Sequence, residues 1–458
     1  MKLICNGKEL SLGKESFLIE DLFTKDFYSY SNFMAEKFYI ESYAVNEVYG
    51  NLIQPYLALD KYIEDNENVI DLIDVSHSDR SILLYLMDLG IKHKIKVTGY
   101  PLFIKSRIRF SYFFTKLASF LYLTFLMLKI PYSREVIKEV DKFSVLRFKS
   151  QFVKTNNFKE IYRELENPHE KNSVYRLFPV RTRVLWVMKS YFSSRNSIKK
   201  MLQFYIPLFG EYSSYSLFDF YKKRIVYAEF YQLLLDSYFP HFMGKSYYMM
   251  NNLDRFSVIE EKTARRYNIK TYCIPHGIEY GFRFPKGFAA DIFYTMADNT
   301  AVILNRLYNT NKFIYDESVI NRLMGLNYRI EHEPYIIFFT EPREIYVNQE
   351  IIKGILPELK KKGRGLCLKL HPGDSTSNYS EFDVKIVSNY AESLTGNICI
   401  ARKSTMLLEA IHNNSTAIAI ITNPKDQTMF DNFPSLNTSK INKAYSVKEL
   451  LDQIDKYL

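Results

Sequence analysis

Cysteine and tryptophan are scarce in this chain of 458 residues, which contains four cysteines and one tryptophan. No pair of cysteines has the spacing of metal ligands, and three of the four lie in apolar stretches typical of buried strands. This pattern argues against a zinc site and against a secreted domain held together by disulfides. We therefore predict that the cysteines are small core residues of a protein in a reducing compartment.

Long apolar segments are also missing. The N-terminus has no apolar stretch of the kind found in secretory signals, so we expect a cytoplasmic protein. The most apolar segment, residues 117–128, is uncharged over only 12 residues, whereas a spanning helix needs about 20. Basic residues precede or flank it: Lys105, Arg107, Arg109, Lys116 and Lys129. This segment could also be read as a buried core helix or as a membrane-spanning helix, and both interpretations stay open. Our hypothesis is that residues 105–130 lie on the inner face of the cytoplasmic membrane.

Basic residues outnumber acidic ones, 61 Lys and Arg against 51 Asp and Glu, which gives a formal net charge of +10. They cluster at residues 92–109, 180–200 and 359–369. A basic balance favours anionic partners, namely nucleic acid, phospholipid or a nucleotide-activated sugar. Because the sequence has neither zinc-finger spacing nor an RNA-recognition signature, we expect no nucleic-acid partner.

The length suits two domains of roughly 200 residues each, since it is too great for a single hydrophobic core. In the C-terminal third, short apolar strands alternate with helical patterns, which predicts a parallel, doubly wound sheet. The predicted strands are residues 335–340, 365–370, 384–388, 397–401 and 416–421, and the predicted helices are 347–361, 403–413 and 447–457. Ligands of such sheets bind at the carboxyl ends of the strands.

The N-terminal half shows a strand–helix–strand pattern over residues 69–98 and another over 247–274, with a mostly helical, aromatic-rich segment between them. We predict an α/β protein of the GT-B type, with two Rossmann-like domains facing across a cleft. The predicted divisions are a first domain over 1–325, a helical insertion within it at about 105–240, a linker at 325–334 and a second domain over 335–458.

Four polar motifs end predicted strands or begin predicted helices. They are Pro275-His276-Gly277 with Glu279, the segment from Thr340 to Glu344, the run Lys369-Leu370-His371-Pro372-Gly373, and Arg402-Lys403-Ser404-Thr405. The carboxyl ends of parallel strands meet at one edge of a sheet. We therefore expect these motifs to converge on a single crevice that accepts the phosphate of a nucleotide.

Two of these motifs suit phosphate binding. Lys369 and His371 lie two residues apart on one strand and so point to the same face, and Pro372 ends that strand. Ser404 and Thr405 open a predicted helix, whose first amides bind anions readily. The alternative is structural, because His-Pro pairs often end strands and Ser-Thr pairs often cap helices. We favour the functional interpretation because the groups occur together at the same predicted edge.

The pattern KLHPGD is followed by KSTMLLEA, with Ser404 33 positions after His371. This arrangement resembles the bacterial GT-B sialyltransferases and polysialyltransferases, whose His-Pro and Ser/Thr motifs bind the cytidine monophosphate of CMP-sialic acid. It is also similar to the capsule-synthesis and CDP-glycerol phosphotransferase groups, which share His-Pro and a histidine-glycine element like Pro275-His276-Gly277. The resemblance covers residues 270–420.

The resemblance implies roles for individual residues. His371 would contact or protonate the departing phosphate, and Ser404 and Thr405 would bind it. The remaining residues of the implied nucleotide site are Lys369, Pro372, Gly373 and Lys403. These assignments follow the order of the motifs in the chain.

The acidic motif of the sialyltransferases, two carboxylates followed by glycine, is absent from this sequence. The candidates for the catalytic base are Glu279 near His276, then Glu341 or Glu344, and finally His276 itself, as in the glycerophosphotransferase group. The structural alternatives are an acidic helix start for Glu341 and Glu344 and a backbone-bonded, strand-end imidazole for His276.

The resemblance implies a glycosyltransferase that moves a sialic-acid-like, nonulosonic sugar from a CMP-activated donor to a cell-surface glycan or glycolipid, such as capsule or lipopolysaccharide. No Asp-x-Asp pair occurs in the chain, so we expect no metal and no other cofactor. One alternative is a CDP-glycerol or CDP-ribitol phosphotransferase. Another is a non-catalytic scaffold of a polysaccharide-assembly complex.

Overall fold

The computed structural model describes residues 2–5, 8–11, 54–76, 78, 80–137, 139–145, 174–215, 224–249, 255–275, 279, 281, 290–326, 328, 333–342 and 344–458. The chain divides into two compact units, which are described in turn. The first consists of Met1–Val153, Leu165–Tyr272 and Phe284–Asp291, and the second of Lys154–Glu164, Cys273–Arg283 and Ile292–Leu458.

The first unit begins with a small mixed sheet. Its elements are β1 (Lys2–Cys5), β2 (Lys8–Ser11), α1 (Gln54–Asp65), β3 (Ile70–Asp74), α2 (Arg80–His93) and β4 (Lys96–Thr98). β1 pairs antiparallel with both β2 and β3, and β3 pairs in parallel with β4. Helix α2 connects the two parallel strands and packs on α1. The strand–helix–strand pattern predicted over 69–98 is therefore confirmed.

The rest of the first unit is mainly helical. Its elements are α3 (Ile104–Lys129), β5 (Lys142–Phe143), α4 (Val180–Phe209), α5 (Arg224–Tyr238), β6 (Ser246–Met249), α6 (Arg255–Arg266) and β7 (Lys270–Cys273). Helices α3, α4 and α5 pack against one another. Aromatic rings fill the interior: Phe143 stacks on Phe242 at a centroid distance of 4.1 Å, and Tyr175 stacks on Phe230 at 5.8 Å. Part of the chain's 37 Tyr and 35 Phe residues therefore serves packing.

The second unit opens with two short parallel strands. Its first elements are β8 (Ile292–Tyr294), α7 (Asp298–Tyr308), β9 (Phe313–Ile314) and α8 (Glu317–Met324). Asp316 caps α8, because its carboxylate accepts hydrogen bonds from the amides of Ser318 and Val319 at 2.9 and 3.2 Å. The hydrogen bond from the Ser318 hydroxyl, together with those from these two amides, holds the pKa of Asp316 below its ordinary value.

Six parallel strands form the sheet that positions the candidate site. The strands are β10 (Ile336–Phe339), β11 (Leu366–Lys369), β12 (Lys385–Ile386), β13 (Ile398–Ala401), β14 (Thr416–Ile420) and β15 (Ile441–Ala444). The helices are α9 (Ile345–Lys361), α10 (Tyr390–Leu394), α11 (Met406–His412), α12 (Pro424–Asp431) and α13 (Val447–Tyr457). The strand order is β12-β11-β10-β13-β14-β15, and every neighbouring pair is parallel.

Burial explains why these apolar runs form strands. All four residues of β10 and all four of β13 are buried. Consecutive buried residues are typical of parallel strands that are covered on both faces. Ile352 and Ile355 of α9 and Ile454 of α13, all fully buried, belong to the core that covers one face. The predicted parallel α/β sheet is thus confirmed, as are its closing helix at 447–457 and its strand at 416–420.

The structure also differs from the sequence-based expectations. Helix α11 begins at Met406 rather than at residue 403, and Arg402 and Lys403, which precede it, are held in ion pairs described below. Helix α12 and strand β15 were not predicted, since polar residues interrupt their apolar patterns. The compact unit that contains the C-terminal sheet also includes residues 292–324. The predicted domain boundary at 325–334 stays a prediction.

Candidate functional site

The strand order creates a switch point beside β10. The chain runs from β10 outward to β11 and β12, and then returns to form β13, β14 and β15 on the other side. The connections after β10 and β13 therefore leave the sheet in opposite directions. Such a divergence opens a crevice at the carboxyl edge, where ligands of doubly wound sheets bind. The structure places three of the four predicted motifs at this edge.

The turns that carry His371 and Ser404 follow two strands, β11 and β13, that flank β10. Lys369, the last residue of β11, lies beside Phe339 of β10, and Ile400 of β13 lies beside Phe338. β11 and β13 are thus separated by two strand spacings, about 10 Å. The turns that carry His371 and Ser404 leave the sheet from these two strands.

The turn after β11 fixes His371. The backbone N–H of His371 donates to the Thr340 hydroxyl at 3.1 Å, and the N–H of Gly373 donates to Nδ1 of His371 at 3.0 Å. The side chain of His371 is exposed. Since Nδ1 accepts a hydrogen bond, the proton of the neutral ring is on Nε2. His371 therefore presents an N–H donor to a ligand.

Asp374 holds this turn against the sheet. Its carboxylate accepts hydrogen bonds from the Tyr379 hydroxyl and from the Asn378 amide, each at 2.8 Å. Burial alone would raise the pKa of Asp374, but the hydrogen bonds from Thr340, Asn378 and Tyr379 hold it below its ordinary value. The carboxylate thus stays ionised and anchors the turn. Asp374 was part of the KLHPGD pattern, yet only the structure shows its role.

The same network reaches the turn after β10. Asn348 of α9, which is fully buried, donates to the Tyr379 hydroxyl at 2.9 Å and to the backbone oxygen of Glu341 at 2.8 Å. The side chain of Glu341 is half-buried at this turn. Asn348 therefore ties the turn that carries Glu341 to the turn that carries His371.

A buried ion cluster joins the turns after β10 and β13. Arg402 is fully buried, and its guanidinium donates to both carboxylate oxygens of Asp426 at 2.6 and 2.8 Å and to Glu344 at 2.7 Å. Lys403 lies 3.0 Å from Asp426 and 3.9 Å from Glu344. The cluster pairs two cations with two carboxylates. Asp426 had no sequence signal, because a lone acidic residue in an unpredicted helix has none.

The two cations of the cluster favour the ionised form of the Asp426 carboxylate. Burial would raise the pKa of Asp426, but Arg402 and Lys403 keep it below its ordinary value. Lys403 was predicted to bind phosphate. The structure places its ammonium group against Asp426 with its side chain largely buried, so that role stays a prediction.

Ser404 and Thr405 lead into α11 at the crevice. The Ser404 hydroxyl accepts a hydrogen bond from the Met406 amide at 3.3 Å, and the Ser404 backbone oxygen accepts one from Leu407 at 3.1 Å. Thr405 has helical backbone angles, and its side chain makes no capping hydrogen bond. Both side chains are half-buried. Two hydroxyls therefore stand at this turn, close to the carboxyl end of β13.

Lys369 is held on the outer side of β11. Its ammonium donates to the backbone oxygen of Ser388 at 2.5 Å, in the connection that follows β12. Burial lowers the pKa of Lys369, and Glu392 opposes this effect. Pro372 and Gly373 follow in the exposed turn. The predicted pairing of Lys369 with His371 on one face stays a prediction.

Glu279 lies in the second unit near α12. Its Oε1 accepts a hydrogen bond from the Met296 amide at 2.9 Å, while its Oε2 is buried with no hydrogen-bond partner in the described part of the chain. Burial raises the pKa of Glu279 to about 8, against the effect of the Met296 amide. The amide of Gly281 donates to the backbone oxygen of Asn432, just after α12. His276 lies outside the described residues.

The chain was compared with known proteins at the level of families, sequences and structures. No protein-family model matches it, and no curated protein sequence matches it significantly. Among solved structures, it is similar to the UDP-GlcNAc 2-epimerase from Methanocaldococcus jannaschii, with a TM-score of 0.37 and 10% identity. That similarity covers 51% of this chain and 75% of the epimerase chain.

Proposed function

We propose that this chain is a glycosyltransferase that binds a nucleotide-activated sugar at the switch point of its C-terminal sheet. The observation that supports this best is the position of His371, Ser404 and Thr405 after β11 and β13, the two strands that flank β10. One imidazole N–H and two hydroxyls thus follow strands that end at the same edge. Donors of this kind suit the oxygens of a phosphate group.

In the proposed reaction, an acceptor hydroxyl attacks the anomeric carbon of the donor while the bond to the phosphate oxygen breaks. His371, Ser404 and Thr405 would stabilise the charge that develops on the leaving phosphate. A base would take the proton of the acceptor hydroxyl. We assign that role to Glu341, with His276 as the second candidate. Glu279 suits it less, because its side chain is buried and its Oε1 already accepts a hydrogen bond from the Met296 amide.

The finer assignment depends on the sequence motifs. We propose a CMP-linked nonulosonic sugar as donor and a cell-surface glycan or glycolipid as acceptor, because KLHPGD and KSTMLLEA resemble the sialyltransferase motifs. A CMP donor has one phosphate and needs no metal clamp. The proposal includes a GT-B arrangement of two Rossmann-like domains and a cytoplasmic location at the inner membrane surface.

A thermal-shift series tests the nucleotide site first. The full chain is heated with CMP, CDP, UDP, GDP or no ligand. A ligand at 100 times its Kd adds about 2.7 kcal/mol to the free energy of unfolding, which raises the melting temperature measurably. We expect stabilisation by CMP, and its absence in a folded His371→Ala/Ser404→Ala variant. No stabilisation by any of the nucleotides would contradict the proposal.

Turnover then separates the reactions. CMP-sialic acid and CDP-glycerol are each incubated with the chain, and release of CMP is measured for both. We expect CMP release from CMP-sialic acid. Release from CDP-glycerol alone would identify a phosphotransferase. Nucleotide binding with neither reaction, in the presence of a range of glycan acceptors, would favour a non-catalytic scaffold.

A further inference from the structure

Helix α3 presents an apolar face that the described residues of the first unit leave uncovered. It is long and apolar enough to cross a membrane by length and composition, yet only 18% of its most apolar window is buried. Five large apolar side chains, each between 50 and 66% exposed, share one stripe: Phe110, Phe114, Leu121, Phe125 and Leu128. Their spacing of three, four or seven residues places them on one helix face. The buried stripe of the same helix contains Leu123 and Met127. Among the residues that the structure describes, α3 therefore has the exposure of a surface helix rather than of a core helix.

Helix α4 continues the same kind of surface. Leu185, Met188 and Phe192 are 44 to 69% exposed and lie three and four residues apart. Arg181 and Arg195 are exposed on the same stripe, one turn before and one turn after them. The α4 stripe is thus apolar in its middle and basic at both ends.

Three contacts show that α3 and α4 are antiparallel. The Arg183 guanidinium, near the start of α4, donates to the backbone oxygen of Ile130, just after α3, at 2.6 Å. Midway, the rings of Phe120 and Tyr191 lie 4.9 Å apart. At the other end, Arg109 lies 3.3 Å from Glu211. The half of α3 that carries Leu121 to Leu128 is therefore level with the α4 stripe.

The charge of the two helices is of one sign. Together α3 and α4 contain 11 Lys and Arg residues and no Asp or Glu. Exposed bases include Arg107, Arg109, Lys129, Lys189 and Lys199. An apolar stripe bordered by bases suits an anionic bilayer, whose headgroups attract the bases while the apolar side chains enter the interface. A second copy of this surface would instead bring like charges together.

We propose that α3 and α4 together form a docking surface for an anionic lipid bilayer, with α3 lying in the membrane interface. The surface extends beyond residues 105–130, because α4 supplies its own apolar stripe and six of the bases. Aromatic and aliphatic side chains enter the headgroup region, and Arg and Lys side chains contact lipid phosphates. This inference does not depend on the proposed enzymatic activity.

Vesicle flotation of the full chain tests the lipid. Vesicles of phosphatidylcholine alone are compared with vesicles that contain about 30% phosphatidylglycerol, an anionic lipid that gives the membrane a negative surface potential. We expect flotation only with the anionic vesicles and a decrease with added NaCl. Equal binding to both compositions, or no binding to either, would overturn the proposal.

Substitutions on each helix test the two-helix surface. Phe114→Asp/Phe125→Asp on α3 and Leu185→Asp/Phe192→Asp on α4 should each lower the partition coefficient by at least roughly tenfold, since apolar contact and attraction are both lost. The matched control is Val302→Asp/Ile303→Asp, also exposed apolar residues, on α7. If the α4 variant has the same partition coefficient as the wild-type chain, α4 is not part of the surface and the proposal fails.

Charge reversal provides a readout that does not alter the apolar side chains. Arg181→Glu/Arg195→Glu should weaken binding to anionic vesicles by at least roughly tenfold, because each base near the surface contributes about fivefold to affinity. Circular dichroism confirms folding of every variant. If the Asp variants instead convert a dimer into a monomer in size-exclusion chromatography, the surface is a self-interface and the lipid proposal fails.

Discussion

The backbone N–H of Gly373 donates a hydrogen bond to Nδ1 of His371, at a distance of 3.0 Å. This contact decides what His371 can do, because it puts the proton of the neutral ring on Nε2. An Nε2–H group stabilises a phosphate oxygen but cannot accept a proton there. The geometry therefore fits His371 as the partner of a leaving group rather than as the base.

The first prediction concerns His371. His371→Ala should lower kcat/KM by about 10²–10³-fold, as expected when one donor to a developing charge is lost. His371→Gln should lose less, since its amide N–H can replace Nε2–H. Steady-state kinetics measure both effects, and exposed His241→Ala is the matched control. Normal turnover in folded His371→Ala would remove the proposed mechanism.

A second prediction concerns the network that holds the His371 turn. Tyr379→Phe removes the donor to Asp374 and the acceptor for Asn348. The free energy of unfolding should fall by about 1–3 kcal/mol, because the buried Asn348 and the half-buried Asp374 each lose a partner. CMP affinity should fall as well, since the turn is less well positioned. Urea denaturation and calorimetry measure these quantities. The control is Tyr457→Phe, whose exposed hydroxyl bonds to Asn442, and an equal loss in the control would contradict the assignment.

The third prediction concerns the ion cluster. Arg402→Met removes the guanidinium group that pairs with both Glu344 and Asp426, so the free energy of unfolding should fall by about 3–5 kcal/mol. Lys362→Ala breaks the exposed pair with Asp455 and should cost less than about 1 kcal/mol. Urea denaturation at pH 7 compares the two variants. Similar losses in both would show that the buried cluster does not stabilise the fold.

A fourth prediction concerns pH. The pKa of Glu279 is raised from 4.5 to about 8 in the folded chain. Its contribution to stability is therefore complete below pH 4.5 and is lost as pH rises to about 8, by on the order of 2–5 kcal/mol. Glu409, with a pKa raised by burial to about 7, acts in the same direction. Glu279→Gln should flatten the fall in stability between pH 5 and pH 8, measured by urea denaturation at both. Exposed Glu350→Gln is the control, and an unchanged slope in Glu279→Gln would refute the assignment.

Much of the C-terminal sheet follows from the sequence. Runs such as Ile336–Phe339 are apolar over every residue and short, which is typical of strands buried on both faces. The polar motifs that follow these runs were placed at one edge because parallel strands end together. The sequence alone therefore assigns the segment of His371 and the segment of Ser404 to one candidate site.

The supporting contacts were beyond sequence analysis. Asp426, Asn348 and Tyr379 are single polar residues. Asp426 pairs with Arg402, 24 positions away, and Asn348 bonds to Tyr379, 31 positions away. No periodic pattern reports such a contact, since it depends on the packing of whole elements. The antiparallel arrangement of α3 and α4 was hidden for the same reason.

Glu344 and Asp426 hold the same guanidinium group from two different connections of the sheet. Pulling these connections apart would cost the buried Arg402 at least one of its two carboxylate partners. We therefore expect the connections after β10 and β14 to keep their separation when a ligand binds. A ligand that fits this separation spends little of its binding free energy on ordering the protein.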